Sequence, residues 1–159
     1  QKAKSESTKV AIFRFGIVLG KNGGAFQKMI TPFKLGLGGI IGSGKQHFSY
    51  IHIEDLIEVY KFVIENSLDG VFNCTAPTPT TNYEFTKTLG RVLNRPTIFP
   101  IPEFVLKLIF SEGAKVLTDG QSVIPKRLLD LGFNFKYKNI DETLKNLAKW
   151  SKFYGLEEI

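Results

Sequence analysis

The chain has 159 residues, 43% of them hydrophobic, and a formal net charge of +6. This length and composition suit a globular chain with a sizeable core and exclude a disordered one. The single cysteine, Cys74, excludes an internal disulfide, and no apolar run reaches the ~18 residues of a membrane span.

Val10–Leu19 is a nearly continuous apolar run broken by Arg14, the pattern of a strand buried on both faces of a parallel sheet. Gly20 and Asn22-Gly23-Gly24 end it. A helix is expected over 25–35, with Phe26, Met29, Ile30 and Phe33 on one face, bent or stopped near Pro32. Next, Gly39-Ile-Ile-Gly-Ser-Gly44-Lys45 matches most of the phosphate-loop pattern G-x-x-x-x-G-K-[ST], but Gln46 stands where the metal-binding hydroxyl is needed. The order is also wrong. A phosphate loop runs from a strand into a helix, whereas this one follows a helical pattern and enters Phe48–Ile53, which reads as a strand. A glycine-rich connection is therefore expected, not a nucleotide hydrolase. Gly36-Leu37-Gly38 does not start a G-x-G-x-x-G either, because Ile41 takes the last position.

Ile53-Glu54-Asp55 opens a helix carrying Leu56, Val59, Tyr60 and Val63, with its acids at the positive end of the dipole. After the turn Asp69-Gly70, Val71–Ala76 reads as a short buried strand that places Cys74 in the core. Thr81-Asn-Tyr-Glu84 is a capping box for a helix carrying Phe85, Leu89, Val92 and Leu93, stopped by Asn94-Arg95-Pro96. Thr97–Pro102 is extended, as an edge strand or a loop. Helix is expected over Phe104–Phe110 and over most of Glu112–Leu131, with breaks at Gly120 and Pro125. Phe133–Tyr137 alternates like a half-buried strand, and Asn139 caps a last helix with Ile140, Leu144 and Leu147 inward. The class is α/β, and incomplete: two central parallel strands do not make a doubly wound sheet.

Three stretches together resemble one family. They are Arg14-Phe15-Gly16-Ile17-Val18-Leu19-Gly20; Gly42-Ser-Gly-Lys45-Gln46-His-Phe-Ser49-Tyr50-Ile-His52-Ile-Glu-Asp55; and Gly70-Val-Phe-Asn73-Cys-Thr-Ala-Pro77 with the helix ending at Asn94-Arg95-Pro96. Their order is similar to the second half of an extended short-chain dehydrogenase/reductase of the nucleotide-sugar epimerase type. Gly120-Gln121-x-x-x-Pro125 and Gly132-Phe-x-Phe135 narrow the resemblance to an epimerase-like subgroup. Some members of that subgroup are labelled cell-division inhibitors, and they carry their own C-terminal domain. The resemblance implies the last strands of a Rossmann-like doubly wound sheet plus a smaller mixed α/β substrate-side lobe. It divides the chain into 1–95, from the dinucleotide fold, and 96–159, the C-terminal domain.

The family's glycine-rich dinucleotide loop and its catalytic Tyr-x-x-x-Lys pair lie ahead of the strand that Val10–Leu19 matches. Both are expected outside this chain, so no residue is assigned a catalytic role. In the family, a tyrosine acid/base works beside a lysine and a bound nicotinamide. The resemblance therefore implies NAD(P) as cofactor of the intact parent and none bound by this chain alone.

By the same resemblance Phe15, Gly16 and Ile17 pass the nicotinamide; core packing plus a turn is the other reading of these residues. Gln46, Lys45 and Ser49 fall on the substrate side. Many family members place an arginine near Gln46 to grip a diphosphate. Glutamine carries no charge, which argues against a diphosphate sugar, although Lys45 could partly compensate. His52, Asp55 and Asn73 are read as structural, with Asp55 capping the helix and His52 making a local hydrogen bond. With only two histidines in the chain, no metal set is recognisable.

The expected function is the substrate-side portion of an NAD(P)-dependent epimerase, dehydratase or reductase, inactive alone. The alternative is a non-catalytic interaction module linked to cell division. Gln1–Lys9 shows no signal-peptide core, and a cytoplasmic protein is expected. The expected partners are the missing N-terminal half and an unknown small-molecule substrate, with self-association through exposed strand edges. The lysines are scattered, so nucleic-acid binding is not expected despite the charge.

Overall fold

A computed structural model describes residues 8–21, 23–101 and 120–153. The apolar run expected to be one strand forms two: β1, Ala11–Phe15, and β2, Ile17–Leu19. They pair with different partners. β1 runs parallel to β4, Gly70–Cys74, from Ala11 opposite Gly70 to Phe15 opposite Cys74. β2 runs parallel to β3, Tyr50–His52, from Ile17 opposite Tyr50 to Leu19 opposite His52.

Gly16 is where the ladder changes hands. Its N–H reaches the Cys74 carbonyl (3.4 Å), while the next N–H, from Ile17, donates to the Ser49 carbonyl (2.8 Å). A Cβ on Gly16 would overlap that Ser49 carbonyl oxygen, so only glycine lets the two backbones approach this closely. Ala76 N–H donates to the Tyr50 carbonyl (2.6 Å) and stitches the second pair of strands across the same junction.

Helix α1, Gly24–Lys34, runs two residues past Pro32 before it ends. Helix α2, Ile53–Glu65, buries Leu56, Val59 and Val63. Helix α3, Asn82–Leu93, starts on the reciprocal Thr81–Glu84 capping box and stops at Asn94, which adopts the left-handed conformation (φ 53°). Helix α4 is Lys126–Asp130 and α5 is Ile140–Phe153.

β3 lies between two apolar clusters, as the two-residue side-chain period of a strand requires. Tyr50 joins Leu19, Phe26, Ile30, Phe48, Phe85, Leu89, Leu144 and Leu147, where α1, α3 and α5 meet. Ile51 faces the other way, onto Leu56, Val59, Val63, Phe72, Cys74, Leu128 and Phe135. Both clusters draw side chains from either side of the 95/96 boundary.

Two expected elements differ. Phe133–Tyr137 pairs with no strand among the described residues. Its inward alternation holds, with Phe135 and Tyr137 buried and Asn134 and Lys136 exposed, but its N–H groups go to a side chain instead of a ladder. Of Glu112–Leu131, residues 120–125 are not helical and only Lys126–Asp130 is; 112–119 lie outside the described residues. The helix expected at Phe104–Phe110 also lies outside them. Ile101 makes a single parallel bridge to Ile41, so the extended reading of its segment amounts to one contact. No helix among the described residues is long and apolar enough to cross a membrane.

Candidate functional site

Parallel α/β sheets bind ligands outside the carboxyl ends of their strands. Here the carboxyl ends of β1 and β4 coincide with the Gly16 junction. Phe15 ends β1 and is 55% exposed, a large apolar side chain left open to solvent beside the exposed Arg14. Behind it lie Gly16, the Ser49 backbone and Cys74. Cys74 itself is buried, and burial pushes its thiol up to about 11, which leaves it a poor nucleophile.

A backbone strap, residues 120–125, crosses this junction. The Ser49 hydroxyl donates to the Gln121 carbonyl (2.5 Å) and accepts from Val123 N–H (3.3 Å). From the end of β4, the Thr75 hydroxyl donates to the Val123 carbonyl (3.0 Å). Gly120 lies so close to the His47 carbonyl that a Cβ would overlap it. The side chains of Gln121 and Ser122 are exposed on the strap.

Phe15, Gly16, Ile17 and Ser49 thus come together. Lys45 and Gln46 sit further up the glycine-rich loop, and the described contacts do not bring them to Phe15. Gln46 donates its amide N–H to the Ile41 carbonyl (3.0 Å), and its own carbonyl accepts from Asn82 N–H (2.9 Å), closing the loop onto the start of α3. Lys45 is exposed, and its backbone N–H bonds the Ser43 hydroxyl (3.3 Å). The loop is entered from α1 and leaves into β3, the reverse of a phosphate cradle.

The second polar cluster is the corner between β3 and α2. The N-cap of α2 is His52, not the expected Asp55: its Nδ1 accepts from Glu54 N–H (3.1 Å). That bond places the ring proton on Nε2, facing Asn146 Oδ1 at 3.2 Å. His52 is fully buried, its ring stacked 3.8 Å from that of Tyr137, and burial holds its pKa below the ordinary value. Asp55 is also buried, which raises its carboxyl pKa. Its two oxygens accept from the N–H groups of Lys136 (2.8 Å) and Tyr137 (3.0 Å). Glu54 accepts from the Lys136 ammonium (2.7 Å) and the Tyr137 hydroxyl (3.0 Å), and the Lys136 bond holds its carboxyl below the usual range.

Every polar atom of His52 and Asp55 is therefore committed to a structural bond, and neither bonds the other. The corner fastens residues 136–137 and α5 to the start of α2. Asn73 is apart from it, in β4 opposite Arg14.

A Tyr-x-x-x-Lys spacing does occur in the chain, at Tyr83 and Lys87. It stands on the first turns of α3, not ahead of β1. Lys87 donates to the Thr97 carbonyl (2.9 Å) and hydroxyl (3.2 Å), and its ammonium lies 5.7 Å from the centre of the half-exposed Tyr83 ring. The lysine is committed to a loop, and the described contacts do not bring the pair to Phe15. No cluster of three or more His, Cys, Asp or Glu suited to a metal occurs among the described residues.

No sequence pattern brings Gln121 and Val123 to Ser49, or Thr75 to the same strap. The Gly120–Pro125 pattern was visible in the sequence, but nothing local shows which hydroxyls its backbone would meet.

Residues 101–147 match a family model described as a domain of unknown function (DUF1731). The chain is 45% identical over 146 residues to the epimerase family protein SDR39U1 homolog, chloroplastic, of Arabidopsis thaliana, covering 91% of this chain and 42% of that protein. It is 44% identical over 145 residues to epimerase family protein SDR39U1 of Mus musculus, covering 90% of this chain and 50% of that one. The crystal structure of the human epimerase family protein SDR39U1 with NADPH superimposes with a TM-score of 0.85 at 41% identity, over 92% of this chain and 50% of that one. The chain thus spans about half the length of the relatives it matches.

Proposed function

We propose that this chain is the substrate-side half of an NAD(P)-dependent protein of the epimerase/dehydratase/reductase kind. Its β1–β4 and β2–β3 pairs would be the last strands of a larger Rossmann-like sheet. The observation that carries this reading is the superposition on half of an NADPH-containing relative at 41% identity.

The residues present suit one end of a dinucleotide. Phe15, exposed at the carboxyl ends of two parallel strands, offers an apolar wall of the size of a nicotinamide ring, with Gly16 and Ile17 continuing it. The pyrophosphate needs a glycine-rich turn at a helix N-terminus, and this sequence contains no G-x-G-x-x-G. When bound, a nicotinamide supplies or accepts hydride; this chain's residues hold and shield its ring. On the substrate side we assign Lys45 and Gln46, which give the loop one cation and one neutral amide. Ser49 supports that side through the strap it already holds. The chain alone would be inactive, because its sequence has no G-x-G-x-x-G cradle and its described residues place no tyrosine and lysine together beside the Phe15 wall.

Binding of NADPH, followed by its fluorescence, tests this. The chain alone should not bind at micromolar concentrations, whereas the chain co-expressed with the preceding half of its mouse relative should. An assembly that binds no NADPH would sink the proposal, as would equally tight binding by the chain alone.

A further inference from the structure

Residues 101–147 match a domain whose function is unknown, and among its described residues the strap at 120–125 reaches the Gly16 junction. Its backbone is neither helix nor strand, so its N–H and C=O groups need partners from elsewhere. Two hydroxyls supply them. Ser49 is both donor and acceptor to the strap, and Thr75 takes the remaining carbonyl of Val123.

These two hydroxyls are not placed at random. Ser49 precedes β3, and its own carbonyl receives the Ile17 N–H beside Gly16. Thr75 follows Cys74, the residue paired with Phe15. Both are needed for the strap and neither is needed for a ladder. Ser49 is half-buried and Thr75 is 2% exposed; the two bonds to Val123 are partly shielded from water, while the Ser49–Gln121 bond is exposed. Gly120 permits the approach by having no Cβ to meet His47.

We propose that Ser49 and Thr75 are positioning residues that hold the 120–125 strap across the carboxyl ends of β1 and β4, where it screens the ligand space beside Phe15 from water. The ligand class is a nicotinamide dinucleotide, and in this respect the inference rests on the function proposed above. The screening matters chemically, since a hydride-bearing ring works best where water is excluded. It also gives the region of unknown function a task. Its backbone forms one wall of the site, while its apolar side chains Leu128, Phe135, Leu144 and Leu147 complete the two cores. Ser49 acts on the ligand through the strap and not by touching it.

The test has two arms. The first uses the chain itself and needs no cofactor. Ser49→Ala combined with Thr75→Val removes all three strap bonds. Hydrogen exchange at the Val123 amide should then quicken by about tenfold relative to wild type, as expected for loss of bonds of this kind. Exchange within α3 should not change, and Ser49→Thr with Thr75 intact, which keeps both hydroxyls, should exchange at Val123 as the wild type does. Unchanged exchange at Val123 in the double variant overturns the anchoring.

The second arm uses the chain co-expressed with the preceding half of the mouse relative, with NADPH as the probe. The double variant should lose most of the fluorescence enhancement and blue shift of bound NADPH while its Kd rises less than about threefold, a split that global destabilisation would not produce. Wild-type assembly that binds NADPH, with a double variant of identical emission, overturns the screening role. Wild-type assembly that binds no NADPH overturns the functional reading instead, and leaves the first arm to decide the anchoring.

Discussion

Replacing Asp55 by alanine tests how the C-terminal region is held. The carboxylate accepts from two backbone N–H groups, at 2.8 Å from Lys136 and 3.0 Å from Tyr137, and is itself 2% exposed. Tyr137 is buried, and no ladder offers its N–H another acceptor. Asp55→Ala leaves two stranded donors, each worth roughly 1–3 kcal/mol when buried. Burying the carboxylate was itself unfavourable, as its raised pKa shows, and relief of that burial offsets part of the loss. A net loss of about 3 kcal/mol is expected, a large part of the ~5–15 kcal/mol that holds a typical domain folded. Asp55→Asn retains one acceptor oxygen but turns an NH2 towards the other N–H, so it should lose at least about 1 kcal/mol. Urea unfolding followed by circular dichroism measures both. Amide exchange should show Lys136 and Tyr137 losing protection before the β1–β4 ladder does. If Asp55→Ala unfolds within about 0.5 kcal/mol of wild type, the two N–H groups are satisfied by water and the account of this corner is wrong.

His52 carries a pH dependence with a definite sign. Burial lowers its folded pKa, so the unfolded chain takes up the proton first as pH falls. Stability is intact above the ordinary histidine value of about 6.5, then falls by at most ~1.4 kcal/mol per pH unit below it, levelling once the folded ring also titrates. The charged groups facing the ring are Glu54, Lys21 and Lys136, and Asp55, raised by burial, has the opposite sign and gains stability as pH falls. His52→Asn keeps a capping acceptor for Glu54 N–H, so its unfolding free energy between pH 7.5 and 5.5 should be flatter than that of wild type; parallel curves would rule His52 out. Gly16→Ala should lose about 1–3 kcal/mol, because its Cβ meets the backbone of Ser49 and Tyr50, which cannot move without breaking the β2–β3 ladder. Gly20→Ala is the control, since its Cβ would sit 3.4 Å from Ile53 side-chain atoms, and equal losses at the two sites would refute the packing argument.

Elements whose cause is local were legible in the sequence. The Thr81–Glu84 box forms as read because cap and partner lie three residues apart. The apolar stripe of α2 places Leu56, Val59 and Val63 inward, as its period requires. The errors share a different cause. An apolar run such as Val10–Leu19 does not show which neighbour each residue will meet, and the break at Gly16 comes from Ser49, over thirty residues away. Phe133–Tyr137 has a strand's alternation and a strand's burial. Its N–H groups nevertheless go to Asp55, and no local pattern records a side-chain acceptor eighty residues distant. The candidate site divides along the same line. Phe15, Gly16 and Ile17 are contiguous and were placed together, whereas Thr75 and Val123 join them only through tertiary hydrogen bonds.

Those long-range bonds have one pattern in common. Ser49, Asp55 and Thr75 act through side chains, yet what they grip in residues 120–137 is backbone. Thr78 adds a backbone N–H bond to the Lys138 carbonyl (3.2 Å). An irregular segment must satisfy its own polar groups, and this one borrows the partners it needs from the preceding strands and the start of α2. The dependence is therefore unequal. Gln121, Ser122, Asn134 and Lys136 are exposed, and changes in their side chains leave the backbone bonds to the earlier half intact. Loss of any one of the three gripping side chains strands donors or acceptors in the later half. The shared apolar clusters act in the same direction, because removing residues 120–153 would uncover Ile51 and Phe72 on one side and Leu19 and Phe48 on the other. Among the described residues, 120–147 and the strands before them thus share both apolar clusters and these backbone bonds, with the Gly16 junction where they meet.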